Sequence, residues 1–188
     1  MGRWEPNARG RLEQAALELY VERGYEQTTV AEIAGRAGLT ERTFFRHFAD
    51  KREVLFAGAG TLRDDLVSAA AQAPPGAPPI DVVATALAAV AAPFQGRLES
   101  VRRRQSVIEA NAELKERELI KLASLSAALA ETLRERGVAE PAASLAAEAG
   151  IGVFKVAFGR WVGEPGGGEF ARIVREAVDE LKAVAAGS

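Results

Sequence analysis

The chain has 188 residues, with 24 Lys plus Arg against 26 Asp plus Glu and a net charge of −2. It has no cysteine and one histidine, His47, which excludes disulfides, thiolate metal sites, cysteine nucleophiles and any site that needs two imidazoles. Apolar residues at 48% and charged residues at 27% describe a folded chain, and 38 alanines, the strongest helix former, predict an all-α protein.

An acidic chain can bind nucleic acid only through a local basic surface. The opening residues Met1–Pro6 hold no apolar leader, and the longest charge-free apolar run, Val82 to Phe94, falls short of the ~18 residues of a membrane span. The expectation is a cytoplasmic protein without a membrane partner.

Leu12, Ala15, Ala16, Leu19 and Tyr20 recur at helical spacing and predict a first helix, closed by Arg23-Gly24 with Gly24 suited to a left-handed cap. Thr28 or Thr29 caps a second helix with inner face Val30, Ile33, Ala34 and Ala37. Gly38-Leu39 turns the chain, and Thr40 caps a third short helix ending near Phe48. Asp50 caps a fourth, about Lys51 to Ala71, before the proline-rich loop Ala73–Pro79. Helices follow at about Asp81–Ala92, Arg97–Ala110 and Glu113–Arg136, with Gly137 as a C-cap. Pro141, at the first helical position, opens a helix to about Val162; a glycine loop at 163–168 precedes the last, Glu169 to about Ala185. The count is about nine helices, with no strand pattern and no internal repeat.

Three short helices, the second and third joined by Ala37-Gly38-Leu39-Thr40, have helix-turn-helix spacing. On the third, Phe44 and Phe48 share one face and Arg42 and Arg46 the opposite one; Thr43 and His47 flank one edge and Phe45 the other. Two arginines four apart are commonly no more than a solvated face. Directly after such a turn, on a helix slim enough for a major groove, they fit bidentate pairing to guanine. His47, at the edge, suits a phosphate contact better than a core position, and with no partner imidazole or thiolate it is not a metal ligand.

The run from Gly24 through Thr28-Thr29, Ala37-Gly38-Leu39-Thr40 and Phe44-Phe45-Arg46-His47-Phe48 to Lys51 resembles the DNA-binding signature of the tetracycline repressor (TetR) family over about a quarter of the chain. The resemblance implies an all-helical homodimeric regulator: a helix-turn-helix domain, residues 1–56, and a variable helical domain for effector binding and dimerisation, residues 57–188. It implies base reading by Glu41, Arg42, Thr43 and Arg46. Thr29, Thr40, Phe45, His47 and Lys51 match its phosphate-contacting positions. Phe45 stands where the family usually has tyrosine, so it can offer a sugar edge packing alone. The head is neutral overall, but Arg3, Arg9, Arg11, Arg42, Arg46, Lys51 and Arg52 can gather on one side.

The remainder holds no catalytic set, no phosphate loop and no metal motif, so neither an enzyme nor a cofactor is expected. Phe94, Arg104, Ile108, Phe154 and Phe158 are the candidate lining of a cavity for a small hydrophobic effector. Arg102-Arg103-Arg104 is either a solvated helix start or a mouth for an anionic head. The segment Glu109–Arg117 resembles a TetR subgroup with acyl-CoA-like ligands. Wide apolar faces on the last two helices place a homodimer seam at Phe158, Val162, Ile173, Val174 and Val178, and a two-fold dimer implies a pseudo-palindromic double-stranded DNA operator. The expected function is a ligand-responsive DNA-binding transcriptional repressor. The alternatives are a DNA-binding architectural or interaction protein without a ligand and an enzyme with a helical-bundle site, against which the single histidine, the absence of cysteine and the lack of paired carboxylates at motif spacing argue.

Overall fold

The computed structural model describes residues 7–166 and 168–187; Arg3 and Gly167, both invoked above, lie outside them. Among the described residues the chain forms nine α-helices and no strand: α1 Ala8–Arg23, α2 Val30–Arg36, α3 Glu41–His47, α4 Ala59–Ala71, α5 Pro79–Ala91, α6 Leu98–Glu109, α7 Ala112–Glu135, α8 Ala142–Gly163 and α9 Phe170–Ala186. They form two compact units, one of residues up to Gly58 with Ser100–Glu118, the other of Ala59–Glu99 with Leu119–Ser188.

In the first unit α1 buries the expected stripe of Leu12, Ala15, Ala16, Leu19 and Tyr20. Gly24 ends α1, its N–H donating to the Tyr20 carbonyl, but at φ 88° and ψ 153° it lies outside the left-handed helical well, in a region that a side chain would bar. Thr29 rather than Thr28 caps α2: its hydroxyl accepts from the Glu32 N–H while Glu32 accepts from the Thr29 N–H. Thr28 is buried, its hydroxyl donating to the Gly24 carbonyl at 2.8 Å. The Asp50 carboxylate accepts from the N–H groups of Arg52 and Glu53, so it caps a single 3-10 turn, Glu53–Phe56. The helix expected from Lys51 to Ala71 is therefore two pieces. Val54, Leu55 and Phe56 are all buried, and three consecutive side chains cannot share one face of an α-helix.

In the second unit α5 is central, packing on α4, α8 and α9 and burying Val82, Val83, Ala86, Leu87, Val90 and Ala91. Of the α8 glycines only Gly150 meets a neighbour: a Cβ there would lie 2.3 Å from Val83 Cγ1, whereas at Gly152 and Gly159 it would meet open space. Pro141 sits at the N-cap of α8, one residue earlier than expected. Gly137 (φ 88°) closes α7 as expected, its N–H donating to the Arg134 carbonyl. Arg136 fastens the proline-rich loop through the Ala71 and Pro74 carbonyls at 2.9 and 2.8 Å. By length and composition α8 could cross a bilayer, a possibility not expected from sequence, but its Ala147, Ile151, Phe154 and Trp161 are buried in the bundle.

Candidate nucleic-acid interface

The geometry of the head begins at the α2–α3 turn. Gly38 takes φ +66°, and the Leu39 N–H donates back to the Ala34 carbonyl at 2.8 Å. Arg11 braces this turn by donating from Nη2 to the Ala37 carbonyl. Thr40 then starts α3, its hydroxyl accepting from the Thr43 N–H at 3.2 Å. Phe44 and Phe48 anchor α3 in the core, and Arg9 lies over the Phe48 ring at 5.5 Å. Glu41, Arg42, Phe45 and Arg46 are left on the exposed side, with Thr43 half-buried beside them.

Besides Arg11, the described arginines of the head fall in two settings. Arg9 pairs with Glu13, Arg23 with Glu32, Arg36 with Glu18 and Glu22, and Arg52 with Asp50 and Glu113. Arg42 and Arg46 have no hydrogen bond or ion pair among the described residues. Like charges one turn apart cost a few tenths of a kcal/mol. Arg9, Arg23, Arg36 and Arg52 meet carboxylates and Arg11 donates to the Ala37 carbonyl, whereas Arg42 and Arg46 face water beside the exposed Glu41 on one short helix.

The phosphate-contact candidates fall in different settings. Thr29 and Thr40 are exposed cap residues of α2 and α3: the Thr29 N–H and hydroxyl both donate to the Glu32 carboxylate at 2.9 Å, and the Thr40 hydroxyl lies 3.1 Å from the Thr43 hydroxyl. His47 is half-buried, its Nε2 shielded from solvent and without a hydrogen-bond partner. Lys51 is committed: its ammonium donates to the carbonyls of Tyr25, Thr28 and Glu26 at 3.0, 3.1 and 3.4 Å and sits 4.3 Å from the Tyr25 ring centroid. It ties the α1–α2 loop to the end of the helix-turn-helix. The Tyr20 hydroxyl donates to the Lys51 carbonyl at 2.7 Å, and burial pushes that phenol well above its ordinary pKa.

The segment Ser100–Glu118 completes this unit through polar contacts that local sequence did not disclose. Arg117 pairs with Glu53, and Arg52 reaches Glu113 at 2.7 Å. Arg104, expected at a ligand mouth, donates to the Leu55 carbonyl at 2.6 Å, lies 5.1 Å from the Phe56 ring centroid and pairs with Glu118 at 3.6 Å. Burial pulls its pKa below the usual guanidinium value, with the Glu118 carboxylate opposing. Ile108 is fully buried in the same unit.

The other expected ligand residues, Phe94, Phe154 and Phe158, come together in the second unit with Trp161 and Phe170. Ring centroids there stand 5.0 to 6.5 Å apart, stacked, tilted or edge to face. Of the expected seam residues, Ile173, Val174 and Val178 are 0%, 0% and 4% exposed in the single chain, so they face its own core and cannot meet a second copy. Apolar periodicity located the face correctly, but α5 and α8 cover it. Phe158 belongs to the aromatic cluster, and Val162 is half-buried. The outward residues are Leu145, Val156 and Val184, at 65%, 61% and 67% exposure.

Residues 13–57 match the bacterial regulatory proteins of the tetR family, and residues 77–186, more than half of the chain, match the MftR C-terminal domain. The HTH-type transcriptional regulator TcmR of Streptomyces glaucescens is 38% identical over 94 residues, 50% of this chain and 42% of that protein. The chain thus spans less than half the length of this curated relative. Among solved structures, FadR of Bacillus subtilis with stearoyl-CoA superposes with a TM-score of 0.64 at 19% identity, covering 92% of this chain and 96% of the other. SmeT of Stenotrophomonas maltophilia with triclosan gives 0.62 at 20% identity, covering 94% and 90%. The helix-turn-helix geometry and both matched regions agree: the chain belongs to the tetR family of bacterial regulatory proteins.

Proposed function

We propose that the protein is a cytoplasmic, dimeric transcriptional repressor that reads a pseudo-palindromic DNA operator through α3 and is released by a small apolar effector. The observation that carries this reading is the unpaired Arg42–Arg46 face on a short helix anchored by Phe44 and Phe48. Residues 1–56 form the DNA-binding domain and residues 57–188 the effector-binding and dimerisation domain. Base contacts fall to Glu41, Arg42, Thr43 and Arg46, and phosphate contacts to the exposed Thr29 and Thr40. Lys51 supports the interface from behind, since its three donors already have acceptors.

The effector enters at the Phe94, Phe154 and Phe158 cluster, where the rings must part to admit it. The stearoyl-CoA and triclosan complexes of FadR and SmeT support an apolar ligand body. Arg104 is already held by Leu55 and Glu118, so the proposal commits to the apolar part and not to an anionic head. The dimer seam lies on the outward faces of α8 and α9, on Leu145, Val156 and Val184, with Gly152 and Gly159 opening α8 to close approach. Only an effector with different affinities for the two dimer geometries can shift the DNA-binding equilibrium.

The test is selection of duplexes from a random-sequence pool by the full-length protein, followed by release titrations with stearoyl-CoA, triclosan and a cationic dye. A pseudo-palindrome released by stearoyl-CoA or triclosan is expected, its half-sites about 10–10.5 base pairs or a multiple apart. A selected operator that none of the three compounds releases favours the ligand-free DNA-binding reading, and no selected sequence overturns the proposal.

A further inference from the structure

The recognition helix carries one exposed aromatic side chain. Phe45 is 56% exposed, whereas Phe44 and Phe48, its neighbours on the same short helix, are buried. Its ring meets the Phe44 ring edge-on at 5.5 Å and an interplanar angle of 83°, so it is propped outward against a fixed support. At about 100° per residue it lies on the exposed arc between Glu41 and Arg42, about 60° from Arg42. An aromatic ring in that position is costly in water and has no atom that can hydrogen-bond to phosphate. It gains only by meeting another apolar group.

Major-groove base edges present donors and acceptors, with one apolar exception, the 5-methyl group of a pyrimidine. We infer that Phe45 is a specificity-determining residue that reads a pyrimidine 5-methyl group beside the base engaged by Arg42. The inference rests on the proposed DNA reading by α3 and extends it from a guanine-reading face to a mixed one. It also replaces the sugar-edge packing expected from sequence, which would carry no base information.

Thymine and 5-methylcytosine both supply that methyl group. The duplex selected by the full-length protein is therefore synthesised with deoxyuridine for each thymine in turn, and separately with 5-methylcytosine for each cytosine. Deoxyuridine removes the methyl group and leaves base pairing, sugar and phosphate unchanged. If thymine is the source, one uracil position weakens wild-type binding by about fourfold per half-site, the worth of one buried methyl group. If 5-methylcytosine is the source, one methylated position strengthens it by a similar factor. In either case Phe45→Ala binds the methylated and unmethylated forms of that duplex equally. Because Phe45 is exposed, this variant keeps its thermal midpoint.

Equal wild-type affinity for all these duplexes overturns the inference while the DNA reading stands. So does a methyl effect that Phe45→Ala retains in full, since another residue then reads it. A protein that selects no sequence overturns both.

Discussion

Lys51→Met keeps the length and apolar stem of the side chain and removes its ammonium. In the structure that group donates to the Tyr25 and Thr28 carbonyls at 3.0 and 3.1 Å, with a longer contact to Glu26 and the Tyr25 ring beneath it. A hydrogen bond from a charged donor contributes about 1.5–3 kcal/mol. Lys51 is half-buried, so water can replace part of this, and a net loss of about 2–3 kcal/mol follows for the two good bonds. For a chain of this size each kcal/mol moves the thermal midpoint by about 2–4 °C, so a fall of roughly 5–10 °C is expected in calorimetry. A phosphate contact would leave a different signature: an unchanged midpoint, with the slope of log affinity against log salt reduced by about one unit. That second pattern would refute the tethering role of Lys51.

Three further outcomes test the packing and electrostatics. Gly150→Ala should destabilise by about 1–3 kcal/mol, because its Cβ would lie 2.3 Å from the stiff Val83 side chain, whereas Gly152→Ala, in open space, should not lower the thermal midpoint of the protomer. Val156→Asp should give folded monomers by sedimentation and Val178→Asp an unfolded or aggregated chain, since Val156 is 61% exposed and Val178 is in the core at 4%. The Arg52 side chain and the Glu53 and Arg52 N–H groups hold the Asp50 carboxyl below its usual pKa. A lowered folded-state pKa stabilises above the unfolded value of about 3.9, and the contribution is lost as pH falls through the folded one. Asp50→Asn should thus melt below wild type at pH 7, with the gap closing under acid titration.

Where a feature depends on a few neighbouring residues, the sequence was enough to place it. The α1 stripe, the Thr40 cap, the Gly38 turn and the opposition of Phe44 and Phe48 to Arg42 and Arg46 all follow from helical periodicity and cap chemistry. The break after Lys51 became clear only from the packing, which buries Val54, Leu55 and Phe56 together where one face of a continuous helix could not. Lys51 and Arg104 could not be placed from local pattern either. Their acceptors are carbonyls 23 to 26 and 49 residues distant in the chain, brought near by the fold. The apolar face of α9 shows the complementary limit. Periodicity reveals that Ile173, Val174 and Val178 are covered, and only the packing shows that the cover is the same chain.

Sequence discrimination by arginine variants tests the central claim most directly. Affinities of wild type, Arg42→Ala, Arg46→Ala and Arg36→Ala are measured on the selected operator and on scrambled DNA at one fixed salt concentration. Arg42→Ala and Arg46→Ala should each lose about 1–3 kcal/mol on the operator, with a much smaller loss on scrambled DNA. Arg36, which is paired to Glu18 and Glu22, serves as the control and should leave the ratio of operator to scrambled affinity unchanged. Wild-type discrimination in both Arg42→Ala and Arg46→Ala would contradict the assignment of α3 as the reading helix.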